Sequence, residues 1–329
     1  MKYKTIGRTG VRVSSLCMGT MTFGQEADDA ICVQLFKRCL DAGINFFDTA
    51  NIYAKGRSEE ILGRLMRGQR DELVIASKFC GCVGTDVNAA GCSRRHIMLA
   101  IDATLKRLQT DRLDFYFVHN VDPLTPIEET LRALDDLKRQ GKILYPAASN
   151  MAAWQIMKAL GLSAKEGLAR IECIQPMYNL VKRQAEVELL PMAESEKLGV
   201  ITYSPLGAGL LTGKYNSKAK PASGRLVANS FYTARYDEEE YRLTAERFSA
   251  YCRHRGLSAP ATAIAWVASH PAVTAPIIGA RNLEQLEMAL GALNLNLLPE
   301  QRDEISALSR TPPLATDRRD EQVGMFMHK

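Results

Sequence analysis

The chain has no apolar run long enough to cross a bilayer. Its most apolar region, Ala261–Ala280, is broken by Ser269, His270, Pro271 and Pro276. That suits a buried helix followed by a strand, not a span of about 20 apolar residues. Met1-Lys2-Tyr3-Lys4 leads into polar sequence without the apolar segment of a secretory signal, so the expected location is the cytoplasm. Single-sign charge is also lacking: 42 Lys and Arg against 37 Asp and Glu leave a net charge of +5. The basic residues are scattered, which argues against a nucleic-acid surface. Eight cysteines lack the spacing of a disulfide framework and read as reduced thiols. Cys80-Gly81-Cys82, with Cys92 nearby, has no second ligand pair at zinc-site spacing. No metal is therefore expected, the bland reading is buried or loop thiols, and a redox role for Cys80 or Cys82 is left open. Repeats, low-complexity tracts and linkers are missing too, so residues 1–329 are expected to form a single domain.

What is present is an alternation of two periodicities. Thr5 to Ser14 carries Gly7 and Gly10 between short β-prone runs, which predicts a small leading hairpin. Strand-like runs follow at Leu16–Met18, Ile44–Phe47, Leu73–Ser77, Leu113–Val118, Ile143–Ser149, Ile171–Gln175, Val200–Tyr203 and Ala275–Ile278. Between them, sets such as Ile31, Leu35, Phe36, Cys39 and Ile97, Ile101, Leu105, Leu108 fall at helical spacing. Further helices are predicted over Ser58–Met66, Val187–Leu198, Glu238–Arg255 and Leu283–Leu293, and the one through Leu137 ends at Gly141. Eight unbroken apolar strands alternating with helices predict a parallel sheet covered by helices. An open nucleotide-binding sheet calls for Gly-x-Gly-x-x-Gly after its first strand, and Gly19-Thr20-Met21-Thr22-Phe23-Gly24 does not supply it. A closed (β/α)8 TIM barrel is therefore predicted. Pro146 removes a ladder donor where a barrel has no edge, so an irregularity is expected there. Lys214 to Asp237, with Pro221 and Gly224, reads as a long βα loop at the C-terminal face.

Titratable residues stand at the C-terminal ends of these strands: Asp48 after Phe47, Lys78 after Ser77, His119 after Val118, with Tyr53 in the following loop. In a barrel those ends converge on one mouth, where active sites are built. Taken singly, Tyr53 would be an ordinary loop residue, Asp48 a helix cap, Lys78 a solvated strand end and His119 a structural histidine. Together they suit carbonyl reduction, which needs an acid to protonate the forming alkoxide. A free tyrosine, with a pKa of about 10, is a weak acid for that task near neutrality. Lowering it by about 3 requires roughly 4 kcal/mol, within reach of a desolvated Lys–Tyr contact. Asp48 would hold Lys78 charged, and His119 would position the carbonyl.

The run Gly43-Ile44-Asn45-Phe46-Phe47-Asp48-Thr49-Ala50-Asn51-Ile52-Tyr53, followed by Ser58-Glu59, resembles the signature of the aldo-keto reductase superfamily. The similarity extends from Gly7-Arg8-Thr9-Gly10 to Pro276-Ile277-Ile278-Gly279-Ala280-Arg281. It implies a barrel with an Asp, Tyr, Lys and His tetrad, matched here by Asp48, Tyr53, Lys78 and His119, and NADPH as cofactor. The resemblance assigns Gly19, Thr20, Met21 and Asp48 to the cofactor side of the mouth. Ser149, Asn150 and Gln175 match carboxamide-binding residues, and Tyr203 the aromatic that stacks on the nicotinamide. Ser204-Pro205-Leu206-Gly207-Ala208-Gly209, ending at Lys214, resembles the loop that wraps the pyrophosphate. Ile278, Gly279, Arg281 and Gln285 match the adenosine end, where a guanidinium favours a 2′-phosphate. Arg225 matches a phosphate-contacting loop residue. Many relatives carry Glu-Asn where this chain has Met288 and Ala289, which puts adenine recognition in doubt.

The implied function is reduction of a small-molecule aldehyde or ketone, without nucleic-acid or membrane partners; oligomeric state and substrate identity are not legible. The alternative is a cofactor-binding partner subunit similar to potassium-channel β subunits. The chain begins almost directly at the hairpin, which favours a stand-alone enzyme. A cofactor-free binding barrel fits least well, because so many cofactor motifs are present.

Overall fold

The computed structural model describes residues 1–215 and 224–317, apart from the side chains of Arg225 and Ala228. An antiparallel hairpin, β1 (Tyr3–Thr5) and β2 (Arg12–Ser14), precedes eight parallel strands. These are β3 (Cys17–Gly19), β4 (Phe46–Asp48), β5 (Val74–Phe79), β6 (Leu113–Val118), β7 (Ile143–Ser149), β8 (Cys173–Gln175), β9 (Gly199–Thr202) and β10 (Ala275–Ile278). Each pairs with the next, and β10 returns to β3, so the sheet is a closed barrel.

The strands read as continuous apolar runs because both of their faces are covered. Every residue of β5 and β6 is buried. Alternate positions then sort to the two faces. Cys17, Phe46, Val74, Ala76, Phe115, Phe117, Ala147, Cys173, Ile201 and Ala275 form one cluster filling the barrel. Met18, Phe47, Ile75 and Tyr116 belong to another, packed under the helices. The hairpin closes the bottom, since Ile6 and Val13 join the interior cluster. The fit is tight: a Cβ on Gly199 would lie 2.2 Å from Ile6 Cγ2, and one on Gly7 2.6 Å from the Gly199 nitrogen.

Helix starts follow capping chemistry. Asp28 accepts a hydrogen bond from the Ile31 amide, Ser93 from His96 and Asn282 from Gln285. Ala259–Ala268 is the buried helix expected before β10.

Two expectations change. β7 runs unbroken through Pro146, which pairs with Tyr116. The Pro146 carbonyl accepts from the Glu172 amide at 3.0 Å, so its missing donor would have faced Arg170, ahead of the first residue of β8. The proline thus stands where its neighbour has not yet begun, and costs no ladder bond. The long segment after β9 is also not plain loop. It carries two short helices, Arg225–Ala228 and Ser230–Arg235, while residues 216–223 lie outside the described part. No helix among the described residues is long and apolar enough to cross a membrane.

Candidate active site

The interior rows of the barrel end at the mouth, and the step after the last core residue is polar in strand after strand. Phe46 leads to Asp48, Ala76 to Lys78, Phe117 to His119, Ala147 to Ser149, Cys173 to Gln175 and Ile201 to Tyr203. The two-residue period of a strand therefore delivers six of the expected residues to one layer.

Lys78 is fully buried. Its ammonium donates to both Asp48 carboxylate oxygens, at 2.7 and 2.6 Å, and to the Thr49 carbonyl at 2.7 Å. Burial works against its charge, but Asp48 and Tyr53 outweigh it, and the Lys78 pKa is raised. Gln175 Nε2 donates to Asp48 Oδ1 at 2.9 Å, so the carboxylate is held from two sides.

Tyr53 enters from the loop after β4, its ring centroid 5.2 Å from the Lys78 ammonium. Burial pushes the phenol up from its ordinary pKa, Lys78 pulls it down, and burial wins. The sequence-based expectation of a lowered value is thus reversed here: the desolvated hydroxyl keeps its proton. Ala54, Lys55 and Gly56, which follow it, all have positive φ (46, 54 and 91°). Six of the nine non-glycine residues with positive φ among the described ones lie just past strand ends at this mouth: Ala54, Lys55, Cys80, Asn150, Ser204 and Ala208. Strain of this kind persists where surrounding structure enforces it, and it concentrates at functional sites.

His119 meets Tyr53 edge-on, with ring centroids 6.1 Å apart. Burial, helped by Lys78, drives its pKa down to about 3, so the imidazole is neutral. Its Nδ1 is buried without a partner among the described residues. Asn150 Nδ2 donates to the His119 carbonyl at 2.9 Å, and the Tyr203 hydroxyl donates to Asn150 Oδ1 at 2.7 Å. The Ser149 hydroxyl donates to the Gln175 carbonyl at 2.8 Å. Beside Asn150, Gln175 and Tyr203 lies a cavity of about 220 Å³.

The remaining expected residues lie at or after the ends of β3, β9 and β10. Gly19 ends β3, and a Cβ there would meet Ile277 Cγ2 at 2.6 Å. Thr20 donates its amide to the Asp48 carbonyl at 2.8 Å, and Met21 follows it. Ser204, Ala208 and Gly209 turn the chain after β9 with φ of 58, 54 and 96°, through Pro205 and Leu206. The Lys214 ammonium lies 5.0 Å from the Tyr215 ring centroid. Ile278 ends β10, Gly279 follows, and the Arg281 amide donates to Gln285 Oε1 at 3.2 Å. Met288 is half-exposed, while Ala289 is buried in the core. The Arg225 side chain lies outside the described residues.

Sequence reasoning missed the layer beneath. Ser58 donates to the Thr20 carbonyl at 2.7 Å and touches the hydroxyls of Thr20 and Thr49 at 2.8 and 3.1 Å. Glu59, wholly buried, accepts from Ser77 at 2.5 Å and from Arg107 Nε at 2.7 Å. Ser77 adjoins Lys78, so this pair braces the strand end that carries the ammonium. The signal was Ser58-Glu59 inside the signature run. Among the described residues no group of three or more His, Cys, Asp or Glu could hold a metal. Cys80 and Cys92 contact each other: their hydrogen bond lowers the Cys80 pKa and, with burial, raises that of Cys92. Cys82 is exposed and donates to the Gly84 carbonyl at 3.1 Å.

The structure thus brings a buried Asp–Lys pair, a tyrosine and a neutral histidine together at the mouth of a closed (β/α)8 barrel. The sequence profile of the Aldo/keto reductase family matches residues 15–310, and the chain belongs to that family. It is 39% identical to "Uncharacterized oxidoreductase YrpG" of Bacillus subtilis (strain 168), over 90% of this chain and 92% of that one. It is 37% identical to "Probable voltage-gated potassium channel subunit beta" of Oryza sativa subsp. japonica, over 96% and 99%. "Protein tas" of Escherichia coli (strain K12) is 33% identical over 94% and 97%.

Proposed function

We propose that this protein reduces an aldehyde or ketone to the alcohol with NADPH, and that Tyr53 is the proton donor. The observation that carries the reading is the buried Lys78 ammonium, held by Asp48 at 2.6 Å and lying 5.2 Å from the Tyr53 ring at the barrel mouth.

The acid is assigned by elimination among protonation states. His119, at about 3, has no proton to give near neutrality, and can only hydrogen-bond a carbonyl. Lys78 is locked by three acceptors. Tyr53 keeps its proton through burial, and the neighbouring ammonium stabilises the phenolate left once that proton has moved. Asp48 keeps the ammonium charged and aimed.

NADPH, when bound, would supply the hydride. The residues fit such a group: after β9 the chain bends through positive φ at Ser204, Gly207, Ala208 and Gly209, a glycine-rich turn whose backbone a phosphate could approach closely. Lys214 adds charge there, and Arg281 suits a 2′-phosphate at the adenosine end, with Gln285 bonded to its backbone. Gly19, Thr20, Met21, Ile278 and Gly279 would line the near wall. Ser149, Asn150 and Gln175 offer amide and hydroxyl groups to a carboxamide, and Tyr203 a ring face. Buried Ala289 cannot replace a polar adenine contact, so Arg281 and Gln285 carry that end.

Mixing the protein with NADPH and a panel of reactive aldehydes tests the reading. Cofactor absorbance should fall with the wild type, and Tyr53→Phe should lower the rate by about 10²- to 10⁴-fold. No turnover with any carbonyl sinks it. Because the phenol pKa is raised, the reduction rate should also hold from about pH 6 to about pH 8 and decline only as Tyr53 ionises above its ordinary range. A rate that fell across neutrality would point to a different acid.

The similarity to the rice channel subunit supports a second reading, a cofactor-retaining partner subunit. NADP(H) that survives purification, joined to very slow turnover, would favour it.

A further inference from the structure

The helix Ser230–Arg235 comes over the mouth, with the Tyr232 hydroxyl reaching Met21 just past β3. Asn229 caps it, accepting from the Phe231 amide at 3.0 Å. Tyr232, Arg235 and Tyr236 fall at i, i+3 and i+4, so they share one face. That face is turned down. The Tyr232 hydroxyl lies 3.8 Å from Met21 Sδ, just past β3. The Tyr236 hydroxyl accepts from Asn179 Nδ2 at 3.2 Å, and the same amide donates to the Ser204 carbonyl at 2.9 Å, just past β9. The helix is thus tied to both sides of the mouth, while Phe231 on its outer face is 81% exposed.

Arg235 sits between these two ties. Its guanidinium carbon is 5.4 Å from the Tyr232 ring centroid, and its charge reaches Tyr203. The acids that follow it are engaged elsewhere. Asp237 pairs with Arg242 at 3.0 Å, and Glu238 accepts from the Tyr241 hydroxyl at 2.8 Å. No carboxylate pairs with Arg235 among the described residues. The Lys182 ammonium, 5.6 Å from the Tyr236 ring centroid, donates to the Tyr241 hydroxyl at 3.2 Å, and that hydroxyl donates to Glu238, so this cation is matched by an acid where Arg235 is not. A guanidinium stacked on a ring, exposed and with no acid paired to it among the described residues, keeps its planar fork ready for a carboxylate.

Building on the reductase reading above, we infer that Arg235 is a specificity-determining residue whose guanidinium pairs with an anionic group on the substrate, so that the preferred substrates are aldehydes or ketones bearing a carboxylate. Tyr53 would act on the carbonyl end and Arg235 on the anionic end, with Tyr203 between them.

The test compares 4-carboxybenzaldehyde with 4-methylbenzaldehyde, which differ chiefly in charge. The wild type should favour the carboxylate by about tenfold or more in kcat/KM. Arg235→Met should lose about tenfold to hundredfold on 4-carboxybenzaldehyde, mainly through KM, and stay within about twofold on the methyl analogue. Arg235→Lys should recover part of the loss, since charge survives without the fork. NADPH affinity, read by fluorescence titration, should not change. Equal losses on both aldehydes, or weakened NADPH binding in Arg235→Met, would overturn the inference and make Arg235 a structural or cofactor-phosphate residue. If neither aldehyde is reduced, it is the reductase reading that fails. Calorimetry of 4-(hydroxymethyl)benzoate against 4-methylbenzyl alcohol then still decides this one, since Arg235→Met should abolish any preference for the benzoate.

Discussion

At position 78 a wholly buried ammonium remains charged because three oxygens surround it, two from Asp48 and one from the Thr49 carbonyl. Replacing it with an apolar side chain of similar length strands the Asp48 carboxylate with Gln175 as its remaining side-chain partner. Lys78→Met should therefore destabilise the fold by about 3 to 5 kcal/mol, the usual cost of breaking a buried pair from one side. If Tyr53 is the proton donor as proposed, the change should also cut carbonyl reduction by at least about 10²-fold, since among the described residues Lys78 is the cation lying against its ring. Thermal melts and single-turnover rates on the same preparation separate the two effects. A variant as active as the wild type would remove Lys78 from the chemistry. The neighbouring Glu59–Arg107 pair is a brace: Glu59 accepts from Ser77 in the same strand as Lys78 and from Arg107.

At the scale of elements, the parity of each strand decides what reaches the mouth. A one-residue slip in β5 would turn Lys78 outward, under the helices, and bring Ser77 or Phe79 to the interior. The surrounding helices hold that register by close packing. In the helix Arg57–Leu65, Gly63 lies against the end of the helix Arg94–Leu108, where a Cβ would come within 2.6 Å of the Arg107 carbonyl oxygen and 2.7 Å of the Leu108 carbonyl carbon. Those neighbours are backbone and cannot swing aside. Gly63→Ala should cost about 1 to 3 kcal/mol despite the helix-favouring alanine, read as a lowered urea midpoint. A gain in stability, as expected of alanine on an open helix face, would show that the two helices separate freely. Because the helix Arg57–Leu65 also carries Ser58 and Glu59, the same change should disturb the site before the barrel unfolds.

For the whole molecule, His96, His119 and His270, all with pKa values lowered by burial, contribute to the response to acid. Burial lowers the pKa of His270 to about 4, with Arg302 adding to the effect, and that of His119 to about 3. In the unfolded chain both would titrate near about 6.5. Below that pH the unfolded state binds protons that the folded state refuses, so stability declines as pH falls from about 6.5 toward about 4. Urea midpoints at about pH 7.5 and about pH 5 should differ in that direction, and His270→Gln should shrink the difference. An unchanged slope in the variant would mean that His270 is solvated in the native state. Near neutrality neither group changes charge in the folded protein.

The sequence by itself determined the class of fold and the residues set at its strand ends. Apolar runs of two periods dictate a parallel sheet under helices, and the polar residue after each run is visible without coordinates. Asp48, Lys78 and His119 were legible for that reason, and Tyr53 through the signature that joins it to Asp48. The rest depended on contacts between distant segments. Whether Pro146 interrupts a ladder turns on where β8 begins, and whether Tyr53 gains or loses its proton turns on burial weighed against one ammonium. That Glu59 bonds Ser77 beside Lys78, and that the Tyr232 hydroxyl comes within 3.8 Å of Met21 Sδ, follow from docked segments far apart in the chain. Local sequence encodes periodicity and chemical type, whereas desolvation and charge proximity are set by closure of the barrel.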